Sequence, residues 1–454
     1  MVGNKTVALI QRYDVAAPRY TSYPTVPYWD EKTWDAGQWG QHARERFRES
    51  ATQGISLYIH LPFCESLCTY CGCNTRITKN HGVEAPYIDA VLAEWELYRN
   101  LLDSDTIPIG EVHLGGGTPT FFSPSQLSRL IDGISKDSRL IPGASLSFEA
   151  HPANTTTAHL QTLFDFGFRR LSLGIQDFDG QVQRIINRWQ TEADVRRVMD
   201  DARRIGYTSV NFDLIYGLPL QTPDSVRDTV QKALAMQPDR ISFYSYAHVP
   251  WMKPGQRRYT EADLPKGAEK LELYHIGKHL IAQAGYRDVG MDHFALPNDS
   301  LCRAADNGRL HRNFMGYTDR YTPLLIGLGV SSISDSWTAF AQNVKTVEEY
   351  KALVGKGELP VFKGHVLSDA DLRVRKYILD VMCLGKTVLE PSGAQAAGIL
   401  HRLTPLLEDG LAEWDGTHVQ VTPIGLSFLR NICMAFDERL NEKQYAQPLF
   451  SKAV

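Results

Sequence analysis

Cysteine is scarce in this chain, which has only seven cysteines among its 454 residues. So few thiols in so long a chain make a disulfide framework improbable. A surplus of charge of one sign is also lacking, because acids and bases nearly balance at a formal net charge of −4. Bulk charge therefore gives no indication of a nucleic-acid or membrane-surface partner.

Long hydrophobic runs are missing as well. No apolar run approaches the ~20 residues that a membrane-spanning helix needs, and Met1–Lys5 lacks the pattern of a signal peptide. The apolar fraction of 43% and the charged fraction of 22% are typical of a globular protein with a large core. We expect a cytoplasmic protein with no membrane span and no nucleic-acid partner. Nothing in the sequence demands more than a monomer.

Four of the seven cysteines are concentrated in one short stretch. Cys64, Cys68 and Cys71 have the spacing C-x3-C-x2-C, and Cys73 follows. The β-prone residues Ile55–Leu61 come directly before, so the cysteines are predicted to lie in a loop after a strand. Thiolates are the ligands that iron–sulfur clusters use. Three of them on a cluster of four irons would leave one iron open to another ligand.

Other interpretations of the cysteine loop are weaker. A structural zinc site needs a second ligand pair at finger spacing, and no such pair follows. A purely structural role for the loop is a remote alternative. The scattered Cys302, Cys383 and Cys433 are predicted to be small buried apolar residues rather than ligands.

Strand and helix patterns alternate along the middle of the chain. The predicted strands are Ile55–Leu61, Glu111–Leu114, Leu146–Ala150, Arg170–Ile175, Val210–Tyr216 and Arg240–Tyr246. The predicted helices are Tyr87–Leu102, Pro124–Ser135, Ala158–Phe166, Glu192–Ile205 and Ser225–Met236, with N-caps at Ser123 and Thr191. This alternation predicts parallel βα units. Six strands suffice for an open, three-quarter TIM-like barrel.

Glycines and polar residues occur on or directly after these strands, one strand after another. They are Gly115–Thr118 after the second strand, Glu149 at the end of the third, Gln176 and then Arg188 after the fourth, Asp213 on the fifth, and Ala247 with His248 after the sixth. Any one of them is a weak signal, because a glycine run is usually a turn and a single polar residue usually makes a structural hydrogen bond. Buried polar groups without partners cost about 1–3 kcal/mol each. The series therefore favours a ligand-lined cavity at the carboxyl ends of the strands.

The C-terminal part of the sequence has a different pattern. Helices are predicted over Leu372–Cys383, Gly393–Ile399, Leu403–Glu408 and Leu426–Phe436. Asp415 and Gly416 between alternating residues predict a hairpin. We expect a small winged-helix-like cap domain. Acids slightly outnumber bases there, which argues against DNA binding.

The cysteine spacing after a strand resembles the radical S-adenosylmethionine (SAM) superfamily. With Cys73 added, the chain resembles the oxygen-independent coproporphyrinogen III oxidase (dehydrogenase) family from about Tyr13 to about Asp437. The further segments that carry this resemblance are Pro18–Thr25, Gly290–Ala295, Leu310–Tyr317, Gly327–Ser334 and Asn431–Asp437. The chain departs from the family at Met315 and Asp319, where Gln and Thr are frequent.

This resemblance implies an α/β fold, an open three-quarter (βα)6 TIM-like radical SAM barrel with a small mainly helical C-terminal domain. We expect an N-terminal arm over the active site at residues 1–54, the barrel with its extension at 55–345, and the winged-helix-like cap at 346–454. On residue chemistry alone, the arm could equally be a packing segment. The implied reaction is oxidative decarboxylation of two propionates of coproporphyrinogen III to vinyl groups, giving protoporphyrinogen IX.

The resemblance also implies cofactors and site residues. Cys64, Cys68 and Cys71 match ligands of a [4Fe–4S] cluster, whereas Cys73 matches an extra cysteine that does not bind iron. The positions that match the surroundings of the cluster-bound SAM are Tyr58, Gly116 and Glu149. The positions that match the surroundings of a second SAM are Tyr70, Gly117, Thr118, Gln176, Arg188, Asp213, Ala247 and Ile333.

Partners and carboxylate sites follow from the same resemblance. Two SAM molecules would be consumed per product, an electron donor would serve the cluster, and an acceptor would take electrons from the substrate. Arg19 and Arg312 are our candidates for binding substrate carboxylates, because a guanidinium matches the carboxylate geometry.

Two related functions remain as alternatives. A radical SAM heme chaperone typically has an aromatic residue where Cys73 stands and lacks the long N-terminal arm. Enzymes that open or methylate heme share the cysteine loop, so the matches at Arg19–Thr25 and Asn431–Asp437 are what favour the oxidase.

Overall fold

The fold is centred on a twelve-stranded mixed sheet in a computed structural model that describes residues 4–50, 52–389, 394–441 and 450–452. Six of its strands are neighbours in chain order and run parallel. They are Ile55–Leu61 (β1), Ile107–Gly116 (β2), Ser138–Ala150 (β3), Arg170–Gln176 (β4), Ser209–Tyr216 (β5) and Arg240–Ser245 (β6). The prediction of six strands is confirmed, although β2 and β3 begin well before the predicted segments.

Shorter strands extend the sheet beyond both ends of this parallel series. They are Arg287–Gly290 (β7), His293–Ala295 (β8), Leu325–Leu328 (β9), Ile333–Asp335 (β10), Ala339–Asn343 (β11) and Val361–Val366 (β12). The sheet order is β12-β11-β10-β9-β1-β2-β3-β4-β5-β6-β8-β7. Strand β9 pairs parallel with β1, so it is a seventh parallel strand that the sequence did not predict.

Glycine explains why β9 gave no strand signal. A Cβ at Gly327 would lie 2.6 Å from the carbonyl oxygen of Ile333, so only glycine lets the returning chain approach this closely. The residue required by the packing is therefore one with a low strand propensity.

Helices connect and cover the strands. Those of the barrel region are Glu84–Leu102, Pro124–Ser135, Thr157–Asp165, Gly180–Ile185, Glu192–Ile205, Pro223–Ala235, Ala268–Gln283, Ser300–Asp306 and Val347–Gly355. The predicted cap at Thr191 is confirmed by a capping box with Asp194. Ser123 occupies the predicted N-cap position, but its side chain makes no capping hydrogen bond, because its hydroxyl donates to Glu84 Oε2 at 2.9 Å instead.

The segment before β1 contains two helices with different neighbours. Helix Ala36–Ser50 buries Trp39, Ala43 and Phe47 in the core of the main sheet. Helix Asn4–Tyr13 packs against the C-terminal helices instead. The domain boundaries at 54/55 and 345/346 remain predictions.

The C-terminal region contains helices Asp369–Leu384, Ala394–Glu408 and Leu429–Phe436. A small antiparallel sheet joins Lys386–Val388, His418–Val421 and Ala412–Trp414, which confirms the predicted hairpin. No helix in the described ranges is both long and apolar enough to cross a membrane.

The prediction of two helices around residues 393–408 is wrong. One helix begins at Ala394 and continues through Pro405, and Gly393 lies outside the described residues. Proline has no N–H to donate within a helix. Packing holds the two halves of this helix together, because one apolar cluster buries residues on both sides of Pro405. These residues are Ile399 and Leu403 before the proline and Leu406 after it.

Candidate active site

A cavity of about 440 Å³ lies inside the barrel and extends to the carboxyl ends of the parallel strands. We call it the front cavity. Most residues that the sequence singled out line it. They are Cys64, Cys68, Tyr70, Cys71, Gly116, Gly117, Thr118, Glu149, Gln176, Arg188 and Asp213. Segments far apart in the sequence thus converge on one space.

The cysteine loop forms one wall of the front cavity. Cys64, Cys68 and Cys71 are half-buried, whereas Cys73 is exposed. The Sγ of Cys64 lies 3.3 Å from Thr118 Oγ1. Burial raises the pKa of Cys64 to about 11, while a hydrogen bond from Cys73 lowers the pKa of Cys71 to about 6.

This donor set fits an iron–sulfur cluster. The three soft thiol ligands line the same cavity. Among the described residues, no three His, Cys, Asp or Glu side chains are placed to hold a single metal ion. A cubane does not require such convergence, because each thiolate binds a different iron.

The glycine segment after β2 packs tightly on the end of β1. Gly116 has a φ of +114°, and a Cβ there would lie 2.8 Å from the ring of His60. A Cβ at Gly117 would lie 2.6 Å from the backbone of Pro62. Packing therefore requires glycine at both positions.

Glu149 lies at the end of β3 and is positioned by a residue that the sequence analysis missed. His113 Nε2 is 3.5 Å from Glu149 Oε1, and the amide of Gly116 donates to Glu149 Oε2 at 3.3 Å. Burial alone would raise the pKa of Glu149, but the contacts with His113 and Gly116 bring it below its usual value. His113 could have been found by strand alternation, since Val112 and Leu114 face the core.

Gln176 has a strained backbone at the end of β4, with a φ of +67°. The next residue, Asp177, is fully buried and fixes this turn, because it accepts bonds from Gln221 Nε2 at 2.6 Å and Thr229 Oγ1 at 2.8 Å. Such a constraint aims the Gln176 side chain into the cavity, which it lines.

Arg188 reaches the cysteine loop from the segment after β4. Its Nη1 donates to Cys68 Sγ at 3.7 Å, and its Nη2 donates to the carbonyl of Gly174. Its Nε is buried and has no partner among the described residues. The side chain thus places a positive charge beside the thiols.

The interior of the front cavity is polar, and the sequence analysis missed most of it. The additional lining residues include Ser147, Arg170, Ser172, Asn211, Arg240, Ser242, Tyr244 and His293. Asp213 lies among them and accepts bonds from Ser172 at 2.8 Å and Asn211 at 2.9 Å. Burial raises the pKa of Asp213 to about 6. Polar residues at alternate positions of β4, β5 and β6 were the available signal.

The two departures from the family lie at this interior. Met315 lines the front cavity. Asp319 Oδ1 is 3.9 Å from Arg170 Nη1 and so supplies a counter-charge to a buried cation.

The two candidate carboxylate-binding arginines lie against aromatic walls of the cavity. Arg312 is only 6% exposed and lies 4.8 Å from the ring centroid of Tyr317. Its Nε and Nη1 have no partner among the described residues. Arg19 lies 5.8 Å from the ring centroid of Tyr244, donates to the Ser245 carbonyl at 2.9 Å and contacts Asp292 at 3.4 Å.

Three predicted cofactor residues do not line the front cavity. Tyr58 lies behind its wall, where its ring stacks on His113 with centroids 6.0 Å apart. The carbonyl of Ala247 accepts a bond from Gln256 at 3.1 Å. Ile333 packs beside an apolar cluster on the far side of β9. The assignments of these three residues remain predictions.

The remaining cysteines are placed as expected. Cys302 and Cys433 are buried in apolar clusters, and Cys383 is half-buried beside them.

Comparison with known proteins decides the family. The Radical SAM superfamily matches residues 58–233. Oxygen-independent coproporphyrinogen III oxidases from Pseudomonas aeruginosa and Escherichia coli are 40% and 38% identical to this chain, covering 95% and 99% of it and 95% and 98% of their own lengths. This chain belongs to the oxygen-independent coproporphyrinogen III oxidase family. The solved structure of coproporphyrinogen III oxidase from Escherichia coli, described as a radical SAM enzyme, matches at a TM-score of 0.87 and 36% identity, over 95% of this chain and 98% of that one.

Membership of this family confirms the predicted fold class. It also implies a [4Fe–4S] cluster and SAM as cofactors.

Proposed function

We propose that this chain catalyses the oxidative decarboxylation of coproporphyrinogen III in heme biosynthesis. Two propionate side chains become vinyl groups, and the product is protoporphyrinogen IX. The observation that carries this proposal is the front cavity, which joins the three-cysteine loop to a wall of aromatic rings backed by Arg19 and Arg312. Relatives named for this reaction match nearly the whole chain, including both ends.

Cys64, Cys68 and Cys71 would hold the cluster, and Cys73 would remain free. When bound, the cluster and SAM supply a 5′-deoxyadenosyl radical that takes a hydrogen from unactivated carbon. Glu149 is kept ionised by His113 and the Gly116 amide, so it can accept bonds from the amino group of SAM. A substrate side chain inside the barrel would be surrounded by protein, which limits the access of water to the reacting carbon.

Substrate carboxylates would be bound by the two arginines. Arg312 is buried with two unused donor nitrogens, and a buried guanidinium without an anion is costly. A propionate would supply the missing anion. Arg19 contacts Asp292 only at 3.4 Å and is 33% exposed at its side chain, so a propionate can compete for it. Each propionate loses carbon dioxide and passes an electron to an acceptor.

A second SAM per product is part of the proposal. Gln176, Arg188 and Asp213 line the front cavity beyond the cysteine loop, where a second molecule would lie. We also propose the cytoplasm as the location, since a cluster sensitive to oxygen requires a reducing compartment. An electron donor and an acceptor complete the reaction, and we propose that the protein works as a monomer.

The alternative functions are not favoured. A heme chaperone would lack the N-terminal arm, whereas here Arg19 of that arm reaches Tyr244 of the front cavity. The matched oxidases also extend over the C-terminal segment.

Anaerobic turnover tests the proposal. The cluster is reconstituted, and coproporphyrinogen III, SAM, a reductant and an electron acceptor are added. We expect vinyl product and 5′-deoxyadenosine together, at two deoxyadenosines per protoporphyrinogen. Deoxyadenosine without vinyl product would mean that the substrate is wrong, and heme would be the next ligand to test.

A further inference from the structure

A second cavity, of about 790 Å³, lies beside the first one. We call it the rear cavity. Its walls come from the N-terminal segment, the chain after β6, helix Ala268–Gln283 and the C-terminal region. Of the residues that the sequence analysis singled out, Ala247 and His248 line it, so the function described above leaves most of this space unexplained.

The two cavities adjoin each other at the carboxyl end of β6. Ser242 and Tyr244 line the front cavity, and Tyr246 lines the rear cavity. Alternate residues of an extended chain share a face, so the rear cavity continues the wall of the front cavity. On the opposite side, His293 lines the front cavity and Asp292 lines the rear cavity.

Arg19 contacts wall residues of both cavities. Its Nη2 donates to the Ser245 carbonyl, its Nη1 contacts Asp292, and its guanidinium lies over the ring of Tyr244. One side chain therefore touches the walls of both cavities. Its contact with Asp292 is long at 3.4 Å, so a carboxylate from a ligand can replace it.

The rear cavity is suited to a ligand with several negative charges. Its lining cations are Lys266, Lys270, Arg430 and Lys452, and its lining carboxylates are Asp14, Glu261 and Asp292. Asp14 is already paired with Lys452 at 2.8 Å, and Asp292 contacts Arg19. Positive charge therefore exceeds the negative charge that is available to a ligand.

Lys270 is the cation best placed to bind an anion. Its Nζ donates to the Tyr246 carbonyl at 3.2 Å, and no described carboxylate lies within ion-pair distance of it. Burial lowers the pKa of Lys270 to about 8, while nearby Asp14 raises it and Arg19 and Arg430 lower it. An added carboxylate would relieve both the burial and the repulsion between cations.

The rear cavity also has several aromatic side chains in its lining. Its aromatic lining residues are Tyr216, Tyr246, Trp251, Tyr274, Phe428 and Phe450. Aromatic walls with a few placed cations are suited to a broad ring that carries carboxylates at its edge.

We propose that the rear cavity binds the ring of an anionic cyclic tetrapyrrole, with one carboxylate on Lys270, while the reacting propionate extends past Arg19 into the front cavity. This inference rests on the proposed function and deepens it, since it assigns where the body of the substrate lies. The ring and its unreacted carboxylates stay outside the barrel. Only one propionate at a time enters the space beside the cysteine loop.

Binding to the full-length protein with its reconstituted cluster tests this site. The probe is coproporphyrin III, the oxidised tetracarboxylate, measured by fluorescence under anaerobic conditions alongside the KM for coproporphyrinogen III. We expect Lys270→Gln to raise both the Kd and the KM at least about tenfold, because a charge-assisted bond is lost. Lys270→Arg keeps the charge and is expected to change them by less than about threefold.

A matched control and a steric variant complete the test. Lys232→Gln removes the same charge from helix Pro223–Ala235, where Lys232 pairs with Asp228 outside the lining of both cavities, and it should leave Kd and KM unchanged. Ser427→Trp places a large ring in the cavity from an exposed lining position and should raise the KM. The Kd for SAM should stay the same in all four variants, which also reports on folding.

The outcomes separate this inference from the proposed function. If the wild type forms vinyl product, and Lys270→Gln and Ser427→Trp leave Kd and KM unchanged, tetrapyrrole binding in the rear cavity is refuted. The proposed function would not be affected by this result. Tight binding of coproporphyrin III that depends on Lys270, without any vinyl product, would support the cavity and contradict the function.

Discussion

We predict different roles for the four cysteines of the loop, although they lie within ten residues of one another. We expect Cys64→Ala to lose the cluster and the activity, because Cys64 is one of the three half-buried thiols that line the front cavity. The matched variant Cys73→Ala removes an exposed thiol and should retain the same iron content. Iron and sulfide analysis after reconstitution measures both. Full turnover in Cys64→Ala, or a large loss of iron in Cys73→Ala, would contradict the ligand assignment.

We predict that His113 affects SAM binding through its contact with Glu149. We expect His113→Ala to weaken SAM binding about tenfold, as the loss of a supporting partner commonly does. The contact with His113 lowers the pKa of Glu149, and without it this pKa rises. The carboxylate then becomes protonated at a higher pH, so the loss of SAM binding on acidification should begin at a higher pH than in the wild type.

Isothermal titration at several pH values measures this effect. His418→Ala is a suitable control, because His418 lies at the exposed C-terminal hairpin, far along the chain from Glu149, and its imidazole contacts Asp415. An unchanged pH profile in His113→Ala would refute the positioning role.

At the scale of elements, the buried carboxylate of Glu94 connects helix Glu84–Leu102 to the end of β9 by hydrogen bonds. Glu94 is fully buried and accepts bonds from the Gly329 amide at 2.7 Å, Asn343 Nδ2 at 2.7 Å and the Tyr350 hydroxyl at 2.6 Å. Burial raises the pKa of Glu94 to about 7, although these bonds oppose the rise. The folded state therefore favours the neutral carboxyl group of Glu94 more than the unfolded state does.

This raised pKa predicts a pH-dependent stability. An acid whose folded pKa is raised favours the fold most at a pH below its unfolded pKa, and this contribution is lost as the pH rises through the folded value. Between pH 4.5 and 8, the free energy of unfolding of the wild type should fall by up to about 3 kcal/mol relative to that of Glu94→Gln. Thermal unfolding at several pH values measures the difference.

Glu96→Gln on the same helix provides the control. Glu96 is exposed and pairs with Arg99, so its substitution should not alter the pH dependence. A constant difference between wild type and Glu94→Gln at every pH would show that Glu94 does not titrate in this range.

The sequence predicts some elements well for a physical reason. Strands β1 and β5 consist of β-prone residues bounded by turns, and the local pattern and the tertiary packing agree there. Strand β9 and the helix through Pro405 were missed because packing overrides a weak local preference in both. The C-terminal hairpin was found because Asp415 and Gly416 signal a turn directly.

On the scale of the whole molecule, the N-terminal segment and the C-terminal helices form one apolar cluster. Leu9, Ile10 and Tyr13 are buried against residues of the C-terminal region. The carbonyl of Tyr13 accepts a bond from Asn431 at 2.9 Å, and the hydroxyl of Tyr20 donates to Asp437 at 3.1 Å. The segment therefore both stabilises the C-terminal region and carries Arg19 to the cavities.

Deletion of residues 1–24 tests this double role. We expect the first thermal transition to fall by several degrees, since each buried apolar side chain contributes about 1.5–3 kcal/mol. The KM for coproporphyrinogen III should rise through the loss of Arg19, while SAM binding is retained because the barrel core lies elsewhere. The single variant Arg19→Gln should raise the KM without the thermal effect. A deletion that changes neither quantity would contradict the role of the segment.

The candidate site was only partly predictable, because the sequence indicates residues near strand ends but not residues that distant segments bring together. Residues at strand ends, such as Glu149 and Gln176, could be found because the fold places all those ends together. The rear cavity could not be found, because Asp14, Lys270 and Arg430 meet only after the distant segments have packed.

The most direct test of the proposed reaction follows the hydrogen that is taken from the propionate side chain. Coproporphyrinogen III deuterated at the β-carbons of its propionates is turned over anaerobically with SAM, and the 5′-deoxyadenosine formed is analysed by mass spectrometry. The account predicts that deuterium appears in the deoxyadenosine and that a vinyl group forms for each transfer. Vinyl product accompanied by unlabelled deoxyadenosine would contradict it, because the hydrogen would then have been taken from another position.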